Sequence, residues 1–146
     1  MQRAIFSLIF AATISLAANA DPHDVFGTWA TEAGTSHVTI ADCGDGSPCG
    51  TVTWIDPEAL EPGVTPETAV DANGDNVLGL QMLYDFSKKR NDWRSGTIYD
   101  PEAGKTYGSR IKKRDDGTLQ VKGCIGPFCQ EQIWQPVLET SPATDS

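Results

Sequence analysis

The sequence has few positive charges and no long apolar segment after its first 20 residues. Eleven Lys and Arg stand against 20 Asp and Glu among 146 residues, so the formal net charge is −9. This charge repels phosphate backbones and anionic lipid, which argues against nucleic-acid binding and against docking on an acidic membrane. The length corresponds to one domain. We expect no integral membrane segment once the first 20 residues are removed.

Catalytic motifs are also missing from the sequence. It contains no Gly-x-Ser-x-Gly elbow, no His-Glu-x-x-His and no phosphate-binding glycine loop. The two histidines are His23, expected in a mobile N-terminus, and His37, which alternates with Val38 on a predicted strand. His37 is therefore the best candidate for a catalytic residue. The sequence as a whole nevertheless predicts a non-enzymatic protein without a cofactor or metal.

The first 20 residues have the three parts of a secretory signal peptide. Arg3 precedes the uncharged run Ala4–Ala18, and Ala18 and Ala20 form a small-residue cleavage pattern. We expect cleavage after Ala20 and a periplasmic or secreted protein. The mature chain then has a single domain at residues 21–139 and a polar tail at residues 140–146.

All four cysteines lie in the mature part, as two close pairs among glycine and proline. The pairs are Cys43 with Cys49 and Cys124 with Cys129. Four cysteines permit three connectivities, and in an oxidising compartment we favour the two local disulfides. A four-thiolate zinc site is the alternative, but its usual two-residue spacing is absent.

Short β-rich runs separated by turn residues fill the mature chain. Eight strands are predicted: Phe26–Thr31, Thr35–Ala41, Gly50–Ile55, Leu78–Phe86, Trp93–Tyr99, Lys105–Lys112, Thr118–Gly123 and Gln130–Val137. The Leu78–Phe86 run is compatible with a strand or with a buried helical turn. In the third run, alternation places Val52 and Trp54 on one face. The pattern predicts an all-β, antiparallel, eight-stranded barrel.

One long acidic loop, residues 56–76, interrupts the strands. It holds three prolines and six carboxylates, so it is either an excursion with its own role or a disordered flap. Its segment Asp71–Asn76 begins like a calcium loop. Asn76 and Met82 stand where such a loop requires Gly and Glu, which excludes an EF-hand.

Gly27 and Trp29 form a Gly-x-Trp pair at the start of the first strand, as in calycin barrels, where the indole closes one end. A wider set of motifs recurs in one order along the mature chain: Gly27–Glu32, Cys43, Cys49–Gly50, Val52–Trp54, Leu78–Leu80, Gly96–Tyr107, Val121–Gly123 and Trp134. This series resembles the bacterial Domain-of-Unknown-Function family 2147, exported proteins of the cell envelope. The resemblance implies a small calycin-like, or lipocalin-like, barrel and carries no established activity.

A set of aromatic residues and one cation are the candidate ligand-binding residues: Trp54, Tyr99, Tyr107, Arg110 and Trp134. An aromatic pocket with a cation suits a small anion or a carbonyl group. The alternative is that these rings are cross-strand pairs that stabilise the sheet. Whether Tyr99 and Tyr107 share a face depends on the register of their hairpin.

Three functions are compatible with this sequence. The first is a binding module of the cell envelope that holds a small apolar or amphipathic ligand inside the barrel. The second is a solid barrel that docks on an envelope protein through the acidic loop 56–76. The third is an enzyme, which requires His37 or several carboxylates to converge in a cleft. The sequence favours the first.

Overall fold

Antiparallel β-strands make up almost all of the regular structure in the computed structural model, which describes residues 20–138. The predicted signal peptide and polar tail lie outside the described residues, apart from Ala20. The strands are β1 (Gly27–Ala30), β2 (Ser36–Asp42), β3 (Pro48–Ile55), β4 (Gln81–Tyr84), β5 (Ser87–Lys88), β6 (Trp93–Asp100), β7 (Lys105–Lys113), β8 (Leu119–Ile125) and β9 (Phe128–Pro136). One 3₁₀ turn, Pro57–Ala59, follows β3.

The strands close into a ring. Their order is β4-β3-β2-β1-β9-β8-β7-β6, and β4 also pairs with β6. The two-residue β5 continues the line of β4 along β6, so eight strands form the barrel. The predicted closed, antiparallel, eight-stranded barrel is confirmed, and the run Leu78–Phe86 is a strand at its centre.

The backbone is irregular at two facing positions, one between β4 and β5 and one in β6. Asp85 and Ser95 both have a positive φ, 63° and 57°, and the pairing of β6 with β7 shifts between Trp93 and Gly96. Between them the ring of Phe86 lies on Gly96, where a β-carbon would overlap the ring. Glycine is therefore required at position 96 by a close approach.

Buried side chains fill much of the barrel interior. Val38, Leu83 and Leu119 have no exposed surface, and Trp29 and Trp134 are almost fully buried. The buried apolar cluster also includes Val25, Ile40, Val52, Ile55, Ala69, Met82, Phe86, Trp93, Ile111 and Val121. An eight-stranded barrel is narrow enough for its own side chains to fill.

The N-terminal segment, residues 21–25, plugs one end of the barrel. The indole Nε1 of Trp29 donates to the carbonyl of Val25 at 2.9 Å, and that of Trp93 donates to the carbonyl of His23 at 3.0 Å. Val25 itself is fully buried. Two indoles thus bind this segment to the barrel wall.

His23 is held in place by the same end of the barrel. Its Nε2 donates to the carbonyl of Lys89 at 2.6 Å, and the carbonyl of Pro22 accepts from the N–H of Lys113 at 3.0 Å. The prediction that His23 lies in a mobile N-terminus is wrong, because the barrel supplies bonding partners to this segment.

The turns divide between the two ends of the barrel because consecutive strands are antiparallel. We call the end that carries residues 21–26 and the turns at 43–47, 85–92 and 114–117 the plugged end. The opposite end, which we call the open end, carries the turns at 31–35, 56–80, 101–104 and 126–127.

Each end has one disulfide. Cys43–Cys49 closes the turn between β2 and β3 at the plugged end, and Cys124–Cys129 joins β8 to β9 at the open end. The predicted local pairing is confirmed.

The acidic loop packs against the outer wall of the barrel. Ala69 is buried in the core cluster, and the N–H of Val77 donates to its carbonyl. Further along, the N–H of Ala72 donates to the carbonyl of Pro101 at 2.9 Å. The second half of the loop is therefore attached to the β6–β7 hairpin.

Candidate functional site

Several side chains with inward register are exposed at the open end of the barrel. The pairing of Leu83 with Ile98, and of Ile98 with Tyr107, places the Tyr107 ring on the inward face. On β8 and β9 the inward positions near the open end are Gly123, Ile125, Phe128, Gln130 and Gln132. Phe128 is 80% exposed and Ile125 is 68% exposed. In residues 20–138, these inward-facing side chains are therefore left exposed.

Trp134 forms the floor of this opening. It lies two residues below Gln132 on the same face of β9 and is 1% exposed. Its Nε1 donates to the Oε1 of Gln132 at 2.9 Å. The exposed inward positions therefore end at Gln132, whose amide bonds to the buried indole of Trp134.

The five predicted ligand-binding residues do not come together. Tyr107 and Trp134 face inward. Trp54, Tyr99 and Arg110 face outward, since each alternates with or neighbours buried inward positions on its strand.

Trp54 faces outward because of a bulge. The register between β2 and β3 shifts between His37 and Val38, so that His37 pairs with Trp54 and Val38 with Val52. Thr53 is the extra residue, and it reverses the alternation. The Trp54 ring lies against the His37 ring, with centroids 4.3 Å apart. The expectation that Val52 and Trp54 share a face is corrected by this bulge.

Tyr99 holds the acidic loop. Its hydroxyl donates to Oδ2 of Asp71 at 2.5 Å and accepts from Nδ2 of Asn73 at 3.0 Å. The bond from Tyr99 lowers the pKa of Asp71, and the N–H groups of Asp75 and Asn73 act in the same direction. The same bond raises the pKa of Tyr99. The carboxylate of Asp71 is thus bonded to backbone N–H groups of its own loop and to the Tyr99 hydroxyl.

Arg110 lies on the outer wall beside a second cation. It pairs with Lys122 across β7 and β8, and within residues 20–138 neither side chain forms an ion pair. Directly opposed like charges destabilise a sheet slightly, but Lys122 also lies opposite Glu131 of β9, a charge of the other sign.

The barrel-closing pair predicted at Gly27 and Trp29 lies at the start and middle of β1. Trp29 is buried beneath the N-terminal segment, and Gly27 has a φ of 129°, which glycine adopts readily. These positions are compatible with the predicted role of the indole at the plugged end.

Sequence reasoning missed the residues that line the opening. Gln130 and Gln132 alternate with Glu131 and Ile133, and this period of two could have indicated an inward polar row. The apolar tip from Ile125 to Phe128 carries no charge between its two cysteines, which is a second available signal.

The open end is strongly acidic. Its turns contain eight carboxylates and neither Lys nor Arg: Glu32, Asp56, Glu58, Glu61, Glu67, Asp71, Asp75 and Glu102. A rim of one sign raises the local concentration of cations and repels anions.

Two surface clefts of about 410 and 370 Å³ lie outside the interior. The first lies at the plugged end between Pro22 and the turn at 112–116, and the second lies beside the Cys43–Cys49 disulfide. Neither contains a predicted ligand-binding residue. In the described part of the chain, no three His, Cys, Asp or Glu side chains are grouped as metal ligands would be. Over the same residues, no helix has the length and hydropathy to cross a bilayer.

A solved structure has the same fold. Protein HP1028 from the human pathogen Helicobacter pylori, described as belonging to the lipocalin family, superposes with a TM-score of 0.61. The two sequences are 17% identical, and the match covers 84% of this chain and 86% of that chain. The fold therefore defines the class of protein, a lipocalin-like β-barrel.

Within this class the chain belongs to the family described as "Uncharacterized protein conserved in bacteria (DUF2147)". The family model matches residues 27–136, and the resemblance seen in the sequence is confirmed. Comparison with curated protein sequences finds no match.

Proposed function

We propose that this protein is a non-enzymatic binding module of the cell envelope that holds a small apolar or amphipathic ligand at the open end of its barrel. One observation carries the proposal: inward-facing side chains of β8 and β9 are exposed, whereas the interior below Trp134 is filled.

The lining suits a ligand with an apolar and a polar part. Ile125, Phe128 and the Tyr107 ring offer apolar surface, and the amides of Gln130 and Gln132 offer donors and acceptors. Because Trp134 is buried and side chains fill the interior beneath it, only a small ligand fits above Gln132. The acidic rim favours a neutral or cationic ligand over an anionic one.

Of the five residues predicted from the sequence, this proposal assigns ligand contact to Tyr107 and the floor to Trp134. Trp54, Tyr99 and Arg110 lie on the outer wall and outside the proposed site.

Export is part of the proposal. Two disulfides indicate a periplasmic or extracellular location, since cytosolic thiols are kept reduced. We take residues 1–20 as the cleaved signal peptide and residues 140–146 as the polar tail.

The absence of catalysis is supported by the position of His37. It lies on the outer wall, where its ring packs on Trp54, and not in the opening. The best catalytic candidate of the sequence therefore lies outside the proposed site.

A fluorescent apolar probe, N-phenyl-1-naphthylamine, tests the binding site. Phe128→Ser removes a ring that would contact the probe, and losing its burial, worth about 1.5–3 kcal/mol, weakens binding about tenfold or more. The matched control is Trp54→Leu on the outer wall, which should leave the affinity unchanged. Weaker binding by Trp54→Leu alone, with Phe128→Ser unaffected, contradicts the proposal.

A second candidate function is protein docking through the acidic loop. It is favoured by the exposure of Glu58, Glu61 and Glu67, none of which is ion-paired within the described range. Replacing all three by Lys leaves the Asp71 anchor intact. Loss of an envelope partner with unchanged probe binding favours docking, and the opposite result favours the ligand site.

A further inference from the structure

Within the part of the chain that the structure describes, the first half of β9 has a backbone edge without a partner strand. The N–H of Ile133 donates to Oε1 of Glu32 at 3.2 Å, and the N–H of Val137 donates to the carbonyl of Thr28 at 2.9 Å. Both therefore point away from β8. Because N–H groups alternate in direction along a strand, those of Glu131 and Cys129 point the same way.

Among residues 20–138, no strand lies on that side. β1 pairs with β9 only at Gln135 and Pro136, and the chain turns back after Thr31, whose N–H donates to the carbonyl of Ser36. On its other side β9 pairs continuously with β8 from Phe128 to Trp134. The outward backbone edge at residues 128–133 is therefore paired with no neighbouring strand of the described chain.

This edge is held in an extended form and is accessible. The disulfide of Cys124 with Cys129 joins β9 to β8 at the tip, and the pairing of the two strands shows no register shift. Residues 128–132 are all exposed. Natural proteins usually protect such an edge with bulges, proline or a covering segment, and residues 128–133 contain neither a bulge nor a proline.

The charge around the edge indicates what covers it. Glu131 lies on the edge opposite Lys122 of β8, Glu32 lies at the end of the edge, and the turns of the open end contain eight carboxylates and neither Lys nor Arg. A second copy of this chain pairing edge to edge would bring two acidic ends together. A cationic segment is complementary.

We infer that the edge of β9 at residues 128–133 binds an extended, lysine- or arginine-rich segment of a partner protein by strand addition. Main-chain bonds to Cys129 and Glu131 supply the pairing, and the acidic rim selects the charge of the partner. The edge uses the N–H groups of Cys129 and Glu131, whereas the opening uses the side chains of Phe128, Gln130 and Gln132 on the same segment, so this proposal does not depend on the ligand proposed above.

A short acetylated peptide of alternating lysine and valine is the probe, and its glutamate–valine counterpart is the charge control. In the full mature chain we expect the lysine peptide, at saturation, to slow hydrogen exchange of the Cys129 and Glu131 amides about tenfold or more. The glutamate peptide should leave them unchanged. Equal effects of both peptides, or binding without protection of these two amides, overturn the proposal.

Two variants of one residue separate backbone from charge. Glu131→Pro removes an N–H that does not donate to β8, so it should abolish binding of the lysine peptide while preserving the barrel. Glu131→Gln keeps the N–H and removes the charge, so it should weaken binding a few-fold and reduce its salt dependence. The exchange measurement on the unmodified protein decides the matter even if Glu131→Pro does not fold. Protection of the same amides by self-association, without peptide, assigns the edge to a second copy and overturns the proposal.

Discussion

The plugged end and the open end of this barrel are built from the same strands but differ in what occupies their interior. At the plugged end, indoles bind the N-terminal segment, and Val25 of that segment is fully buried. At the open end, inward positions carry glutamines and an exposed apolar tip, and the turns are acidic. We assign two tasks to the two ends: stability to the plugged end, and accessible surface for recognition to the open end.

The largest expected effect is on folding stability at Trp134, the boundary between the two ends. Trp134→Ala should lower the free energy of unfolding by about 3–5 kcal/mol, since the site is fully buried. Phe128→Ala at the exposed tip should change it by less than about 0.5 kcal/mol. Urea unfolding followed by circular dichroism measures both. Similar losses in the free energy of unfolding for the two variants would contradict the difference between the two ends.

Two inward-facing glycines give the next test. Gly96→Ala forces a β-carbon into the Phe86 ring and should cost about 1–3 kcal/mol of stability. In Gly123→Ala the β-carbon would lie 3.6 Å from Cγ2 of Ile98, an ordinary contact, so this control should be close to neutral. Thermal unfolding of the pair distinguishes a packed interior from a loose one.

The two disulfides sharpen the comparison by function. They join residues 6 and 5 positions apart, so replacing either pair by serine should cost about 2 kcal/mol. Only the Cys124 and Cys129 replacement should also weaken binding of the naphthylamine probe, because it loosens the tip. Equal loss of probe binding in both double variants would contradict the separation of tasks.

The smallest effect concerns pH. Tyr99 lowers the pKa of Asp71 below its ordinary value of 3.8 in the folded state. The unfolded chain therefore takes up this proton first, so the stabilisation is present above about pH 3.8 and is lost as the pH falls towards the folded-state pKa. Tyr99→Phe should reduce the difference in urea midpoint between pH 7 and pH 3. Tyr107→Phe, which has no bond to Asp71, is the control and should retain it.

The strands were predictable because their hydrophobic alternation matches a pleated wall with one buried face. β2, β7 and β8 lie within a residue or two of the prediction. The local disulfides followed from short loops rich in glycine. The barrel itself followed from eight such runs without a helix.

The faces of individual aromatic residues were not predictable. One extra residue, Thr53, turns Trp54 outward, and the register of a single hairpin turns Tyr99 outward and Tyr107 inward. Both depend on pairing between strands, which a linear pattern does not contain. The exposure of Gln130 and Gln132 likewise depends on where β1 ends relative to β9.

The N-terminal plug has a consequence for how the chain reaches its final form. His23 bonds to groups 66 and 70 positions further along, and β1 completes the ring only by meeting β9, the last strand. Contacts between such distant positions form slowly, and these require nearly the whole polypeptide. A chain emerging from the ribosome or a translocation channel in order from its first residue therefore stays an unclosed sheet until its last strand is free.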